Sequence, residues 1–311
     1  MKEIKQNFNF YDQSYLKTYN LDKSIQYQLN LLDSLDVFTR KHSENVATIV
    51  CNLCKKLHLS REFTEYCTIC AYLHDIGKLF IPSEILQKPS QLTEEEYDTM
   101  KKHTTLGYKL CIKDTKLRPY CVGAYYHHEC LDGTGYPQGL VKKDIPFEAQ
   151  IIKVADEYDA IVNKRQYKSH IGISDALKII IERTKPSQDA PRHTGYTKSG
   201  KNNKKIVKAL LKVVINDVEY ELSSVMNYAD YLKKEIARHK KIANYNKKRL
   251  SAKNEETRNY YKEYMKLYFT SQENIDNYEQ IYLEICDTYQ FKKEEISNLN
   301  KEIKIIKRLH V

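Results

Sequence analysis

The stretch AYLHDIGK, residues 71–78, constrains this chain most, because a His and an Asp stand side by side at the end of an apolar run. Adjacent helical residues point about 100° apart, so His74 and Asp75 can share one metal ion only at or beside a helix end. Other ligand-type residues accompany the pair: His42, His103, His127, His128 and Asp156. Five histidines and two aspartates suffice for two ions that share Asp75. Such nitrogen and oxygen ligands suit phosphate-ester hydrolysis.

Composition indicates the general class of protein. With 311 residues, 41% hydrophobic and 30% charged, the chain is long enough for one full core and an appended module. The formal charge of +10 fits an anionic substrate, and it fits a lysine-rich helical surface equally well. We find no secretory leader and no stretch near the roughly 18 apolar residues of a membrane span. We therefore expect a soluble, cytoplasmic protein, and its tyrosines alone do not indicate a nucleic-acid polymer as partner.

The cysteines offer an alternative metal site. Two C-x2-C pairs, Cys51/Cys54 and Cys67/Cys70, have a spacing close to that of structural zinc sites. Both pairs lie in apolar helical runs without a Gly-rich knuckle, and cysteine is a common small core residue. The context favours reduced core thiols over a structural metal.

Apolar residues at helical spacing predict an all-α fold. We expect helices over residues 24–35, 39–57, 63–73, 120–127 and 151–162. Gly77 is expected to stop the third helix after His74. Thr93 and the three glutamates after it predict a capping box on a helix that carries His103. The Gly- and Pro-rich loop HHECLDGTGYPQGL predicts a shaped active-site loop.

These motifs resemble the HD-GYP domain, the bacterial branch of the HD metal-dependent phosphohydrolases. The resemblance extends over about residues 36–168 and includes HDIGK, KKHTTLG, HHECLDGTGYP and VADEYDAIVNKRQYK. It implies an all-helical HD-domain bundle with two or three metal ions. It also implies hydrolysis of cyclic di-GMP to pGpG or GMP by a hydroxide that bridges the metals. The alternatives are a phosphohydrolase for another cyclic dinucleotide or nucleotide, and a signalling adaptor with little turnover, although a complete ligand set argues against an adaptor.

The same resemblance implies roles for individual residues. One metal would be held by His42, His74, Asp75 and Asp156, and the other by Asp75, His103, His127 and His128. Lys78 resembles the family lysine near the scissile phosphate. Three more residues match positions that approach the nucleotide: Asp159, Arg165 and Lys168. The two cations among them suit phosphate oxygens.

Two departures from the family pattern qualify these expectations. Phe38 stands where some members have a Glu for a third ion, so we expect two divalent transition-metal ions, iron or manganese first, with nickel or zinc also compatible. The ending KSGKNNKKIVKALLKVV is unusual, and the loop over residues 185–205 is longer and more basic than the pattern. That loop either covers the site or is flexible, and we favour flexibility.

The composition shifts beyond about Glu221, where Gly and Pro are absent. Apolar residues there keep helical spacing, which predicts a helical hairpin or coiled coil. We divide the chain into a lead-in (1–21), an HD-GYP catalytic domain (22–218) and a C-terminal helical extension (219–311). The extension either packs on the catalytic domain or mediates homo-oligomer or protein-partner contacts.

Overall fold

The structure is a computed structural model that describes residues 37–163, 172–186, 199–267 and 277–311. The regular secondary structure in these ranges is helical, which confirms the predicted all-α class. The helices are α1 (Val37–Lys56), α2 (Arg61–Tyr72), α3 (Ser83–Leu86), α4 (Glu94–Lys113), α5 (Cys121–Tyr126), α6 (Phe147–Val162), α7 (Ile173–Glu182), α8 (Lys204–Ser251), α9 (Glu255–Lys266) and α10 (Tyr278–Ile306). Two 3-10 segments, Ile76–Phe80 and Arg118–Tyr120, precede α3 and α5.

The chain forms two compact units. The first ends at Val214 and also holds Leu309–Val311, and the second comprises Ile215–Arg308. The domain boundaries expected from the sequence, after residues 21 and 218, stay predictions. The first of these boundaries and the predicted helix 24–35 lie outside the described residues.

The helix starts follow the local sequence. Thr93 caps α4 as predicted: its Oγ1 accepts from the backbone N–H of Glu96 at 3.3 Å, and Glu96 Oε2 accepts from the N–H of Thr93 at 2.7 Å. Ser60 caps α2 by accepting from the N–H of Phe63 at 3.2 Å. These capping bonds satisfy N–H groups at the helix starts that have no partner within the helix.

Gly77 has a different task from the one expected of it. Helix α2 already ends at Tyr72, and Gly77 lies inside the first 3-10 segment. A Cβ atom on Gly77 would lie 1.9 Å from the carbonyl oxygen of His103. Glycine is therefore required because the HD turn and α4 touch through their backbones. Gly123 acts similarly between α5 and α2, where a Cβ would lie 2.2 Å from the carbonyl oxygen of Cys70.

The core of the first unit lies directly beneath the HD turn. Leu73, Ile76, Cys111, Leu117 and Ala124 form one fully buried cluster there. The four cysteines of the two C-x2-C motifs are buried and form no disulfide. Burial raises the pKa of Cys51 and Cys70, so these thiols stay protonated. Among the described residues, the groups able to hold a metal ion contain no cysteine.

The second unit is built from most of α8 with α9 and α10. Its buried apolar side chains fall at helical spacing along α8, as Val225, Ala229 and Leu232, and recur in α10 as Ile303 and Ile306. Lys307 Nζ lies 2.7 Å from Glu219 Oε1, so the end of α10 returns to the beginning of this unit. No helix within the described ranges combines the length and apolar character needed to cross a membrane.

Candidate metal centre

The seven predicted metal ligands lie close together, although five separate segments supply them. His42 comes from α1, His103 from α4 and Asp156 from α6. The HD pair occupies the turn between α2 and the first 3-10 segment, and His127 and His128 follow α5. The glycine contacts described above bring three of these segments close together. The positions of the ligand-bearing residues are therefore set by backbone packing.

Asp75 lies at the centre of the site, with its two oxygens facing different histidines. Oδ2 lies 3.4 Å from His74 Nε2 and 3.7 Å from His42 Nε2. Oδ1 lies 3.5 Å from His103 Nε2 and 3.9 Å from His127 Nε2. Two groups of possible metal ligands result: His42, His74 and Asp75, and His103, His127 and His128. One carboxylate therefore borders both groups.

Asp156, on α6, also approaches histidines of both groups. Its Oδ1 lies 3.1 Å from His42 Nε2 and 3.9 Å from His74 Nε2. Its Oδ2 lies 3.9 Å from His128 Nδ1. Like Asp75, Asp156 is buried and faces both histidine groups.

Backbone carbonyls fix the tautomers of three histidines. Nδ1 of His74, His103 and His127 lies 2.6 to 2.8 Å from the carbonyl oxygens of Ala71, Met100 and Gly123. A carbonyl can only accept, so each Nδ1 carries the hydrogen and each Nε2 of the neutral ring presents a lone pair. A metal ligand needs that state.

This chemistry fits bound metal ions. His74 Nε2 is buried without a hydrogen-bond partner among the described residues. The Nε2 atoms of His103 and His127 face each other at 3.2 Å, which would oppose two lone pairs in the neutral rings. A cation near both nitrogens removes that repulsion and satisfies the buried His74 nitrogen. The His and Asp groups could therefore hold metal.

The pKa shifts of His127, His128 and Asp75 favour the protonation states that bind a metal ion, whereas that of His42 favours the protonated ring. Burial and neighbouring histidines hold the pKa of His127 well below its usual range, and burial does the same for His128. Burial opposes ionisation of Asp75, but Lys78 and His74 outweigh it and hold its pKa well below the usual value. Burial also opposes the charged form of His42, yet hydrogen bonds to Asp156 and Asp159 raise its pKa to about 10. Metal binding at His42 would therefore release a proton.

The four residues predicted to meet the substrate fall into two groups. Lys78 donates to Asp75 Oδ2 and lines the same cavity as the histidines. Asp159 is 3% exposed and its Oδ2 accepts from His42 Nδ1 at 2.7 Å, so the structure places it against a predicted ligand. Arg165 and Lys168 lie outside the described residues. The side chain of Phe38 is likewise not described.

Glu129 was missed by the sequence reasoning. It is 1% exposed, and its carboxylate accepts from the backbone N–H groups of Gln138 at 2.7 Å and Leu140 at 2.8 Å. These bonds close the loop that carries Tyr136, whose ring stacks on His128 with centroids 4.6 Å apart. The signal was present in the sequence, since an acidic residue directly follows the His pair.

A buried ion network borders the centre and was also missed. Lys153 Nζ lies 2.8 Å from Glu157 Oε1, and Arg183 reaches the same oxygen at 2.7 Å. The side-chain amide of Asn202 donates to Glu157 Oε2 at 2.6 Å. Burial opposes ionisation of Glu157, but Lys153 and Arg183 lower its pKa. The network joins α6 to the segment after α7.

One cavity of about 1200 Å³ is lined by three of the histidines and by three residues of the Glu157 network: His42, His103, His128, Lys153, Glu157 and Arg183. This volume lies above the range of about 300 to 1,000 Å³ usual for small-ligand sites. The cavity can therefore receive a ligand of dinucleotide size next to the predicted metal ligands.

Residues 26–190 match the HD domain family, which accounts for the helical bundle and the His and Asp cluster. The chain belongs to the HD domain family, and the resemblance to its HD-GYP branch predicted from the motifs is confirmed.

Curated relatives carry names of one chemical class. The chain is 38% identical over 155 residues to a cyclic di-GMP phosphodiesterase of Thermotoga maritima, with 49% of this chain and 42% of the relative covered. It is 36% identical over 178 residues to the cyclic di-GMP phosphodiesterase PdeB of Borreliella burgdorferi, covering 57% and 42%. It is 35% identical over 151 residues to a 3'3'-cGAMP-specific phosphodiesterase of Vibrio cholerae, covering 49% and 35%. The matches thus span less than half the length of these relatives.

Proposed function

We propose that this protein is a metal-dependent phosphodiesterase that hydrolyses cyclic di-GMP to pGpG, GMP or both. The main observation behind the proposal is the position of Asp75, whose two oxygens face two separate histidine groups next to a large cavity that His42, His103 and His128 line. The names of the relatives support the choice of a cyclic dinucleotide as the substrate class.

Two divalent transition-metal ions would be held by the seven predicted ligands, with Asp75 shared. Iron and manganese suit these imidazole and carboxylate ligands best, and nickel and zinc are compatible. Bound ions of this kind supply Lewis acidity toward phosphate oxygens and a water molecule of lowered pKa. Phe38, at the position of a possible third carboxylate ligand, favours two ions over three.

The protein's own residues would prepare the substrate for this chemistry. Lys78 places an ammonium group between Asp75 and the cavity, where it can contact an oxygen of the phosphodiester under attack. Asp159 holds the His42 ring through Nδ1. Tyr136 covers one face of the His128 ring and limits its rotation. The seven predicted ligands, Lys78 and Asp159 would thus act together on a single phosphate.

The experiment is a turnover assay with the metal-loaded protein and cyclic di-GMP, with products separated by chromatography. We expect pGpG or GMP from the wild type and neither product after metal removal by a chelator. Restored turnover on adding back manganese or iron is the control for damage by the chelator. Tight binding of cyclic di-GMP without any product from the loaded protein would instead identify an adaptor.

A second substrate has its own support, because two relatives from Vibrio cholerae are named 3'3'-cGAMP-specific phosphodiesterases. Both molecules carry two phosphodiesters in one ring and differ in a base. Competition between them at equal concentration, with the ratio of kcat/KM as readout, distinguishes the two specificities.

A further inference from the structure

The cavity lined by four of the predicted metal ligands is also lined by six lysine and arginine side chains, and five of these lie within 4.0 Å of a carboxylate oxygen. The pairs are Lys41 with Glu44, Lys78 with Asp75, Lys153 and Arg183 with Glu157, and Lys185 with Glu182. The sixth, Lys201, has no ion-pair partner in the part of the chain that the structure describes. Lys201 is therefore the lining cation whose charge is not already balanced.

The backbone around Lys201 is held on several sides. Its carbonyl accepts from the N–H of Leu131 at 3.1 Å, and the N–H of Asn202 donates to the carbonyl of Arg183 at 3.0 Å. A Cβ on Gly200 would lie 2.3 Å from the carbonyl carbon of Thr184. Lys201 thus begins from a fixed point beside the Glu157 network, and only its own four-carbon chain is free to adjust.

A cyclic dinucleotide carries two phosphodiesters, each with one negative charge. If metal ions at the predicted ligands and Lys78 hold one phosphate, the second needs another cation or is left to water. From these observations, and resting on the proposed function, we infer that Lys201 forms a second anion subsite that binds the phosphodiester that is not being cleaved. It is a substrate-binding residue that acts on affinity and specificity and takes no part in bond cleavage.

The test compares the wild type with Lys201→Gln and with Lys204→Gln, a matched change of an exposed lysine that does not line the cavity. Two substrates are used with metal-loaded protein: cyclic di-GMP, and bis(p-nitrophenyl) phosphate, which has a single phosphodiester. Affinity for cyclic di-GMP is measured separately by isothermal titration calorimetry on the metal-stripped proteins.

We expect Lys201→Gln to raise Kd and KM for cyclic di-GMP about tenfold, as for a lost charge-assisted hydrogen bond. Hydrolysis of bis(p-nitrophenyl) phosphate and the metal content should not change. Lys204→Gln should match the wild type throughout, and Lys201→Arg should recover most of the affinity because it keeps the charge.

Wild-type affinity in Lys201→Gln would overturn the inference and leave the second phosphate to residues such as Arg165 and Lys168. Equal losses on both substrates would also overturn it, because Lys201 would then serve the metal centre or the fold. If the wild type neither binds nor hydrolyses cyclic di-GMP, the proposed function fails and the subsite fails with it. The single-phosphate substrate distinguishes these failures.

Discussion

At the scale of single residues, two aspartates stand out among the described carboxylates. Asp75 and Asp156 both have their oxygens within 4.0 Å of histidines from both groups named above. The two aspartates are not equivalent. Asp75 approaches four Nε2 atoms and pairs with Lys78, whereas Asp156 approaches His128 only through Nδ1 at 3.9 Å. Loss of Asp75 should therefore affect both metal positions.

The corresponding prediction concerns metal content. The wild type should hold close to two transition-metal ions per chain, and Asp75→Ala should lose both together with all turnover. Elemental analysis after anaerobic purification measures the ions, and circular dichroism checks that the variant is folded. Asp98→Ala, at an exposed position of α4, is the matched control and should retain both ions. A variant that keeps one ion would contradict the bridging role of Asp75.

Glu129 gives a prediction about the loop that covers His128. Replacing it with Gln leaves one acceptor oxygen and turns an NH2 group toward one of the two backbone N–H donors. The free energy of unfolding should fall by about 1 to 3 kcal/mol, the usual cost of an unsatisfied buried donor. Urea unfolding followed by circular dichroism measures this change.

Glu95→Gln provides the control, since that side chain is exposed and forms no hydrogen bond within the described ranges. Its stability should stay within about 0.5 kcal/mol of the wild type. If Glu129→Gln also left the free energy of unfolding unchanged, the Glu129 carboxylate would not be the group that holds the loop closed.

At the scale of elements, the sequence predicted many of the helices, and the structure shows why it did not predict the contacts between them. Periodic apolar residues and the Thr93 capping box are local signals, so helices such as α4 were found from them. Gly77 was misassigned because its requirement comes from the carbonyl of His103, far away in sequence. The partners of Glu129 and Glu157 were missed for the same reason: each is satisfied by atoms from another segment.

In the candidate site, too, local signals were predicted from the sequence and contacts between distant atoms were not. The seven residues were predicted as ligands from residue type and family resemblance, and the structure shows that they lie close together. The sharing of Asp75 between two histidine groups was expected, but the carbonyl partners that set the ring tautomers were not. Tautomers depend on backbone positions at the ends of helical turns, which composition and spacing do not reveal.

At the scale of the whole molecule, the two units differ in their chemical groups. The described groups able to hold a metal ion lie in the unit that ends at Val214, and none lies in Ile215–Arg308. We expect a chain ended near Leu222 to retain its metal content and its kcat on bis(p-nitrophenyl) phosphate. Its oligomeric state or solubility should change, because exposed apolar side chains such as Tyr228 and Tyr231 would be removed.

Elemental analysis and light scattering on the full and shortened chains check this prediction. An unchanged number of chains per particle with unchanged metal content would show that the second unit serves neither assembly nor the metal centre. Loss of the ions would contradict the prediction that metal binding does not need the second unit, because residues beyond Leu222 would then be part of the metal-binding fold.

The carbonyl groups of Ala71, Met100 and Gly123 have a thermodynamic consequence. Each accepts from the ring of a proposed ligand within or next to its own helix, so the ring keeps its orientation only while that helical turn is intact. Fraying of α2, α4 or α5 would release a ligand, and by linkage a bound ion would suppress that fraying. Amide hydrogen exchange in these three turns should therefore slow when metal is added, and it would report occupancy of the centre without any substrate.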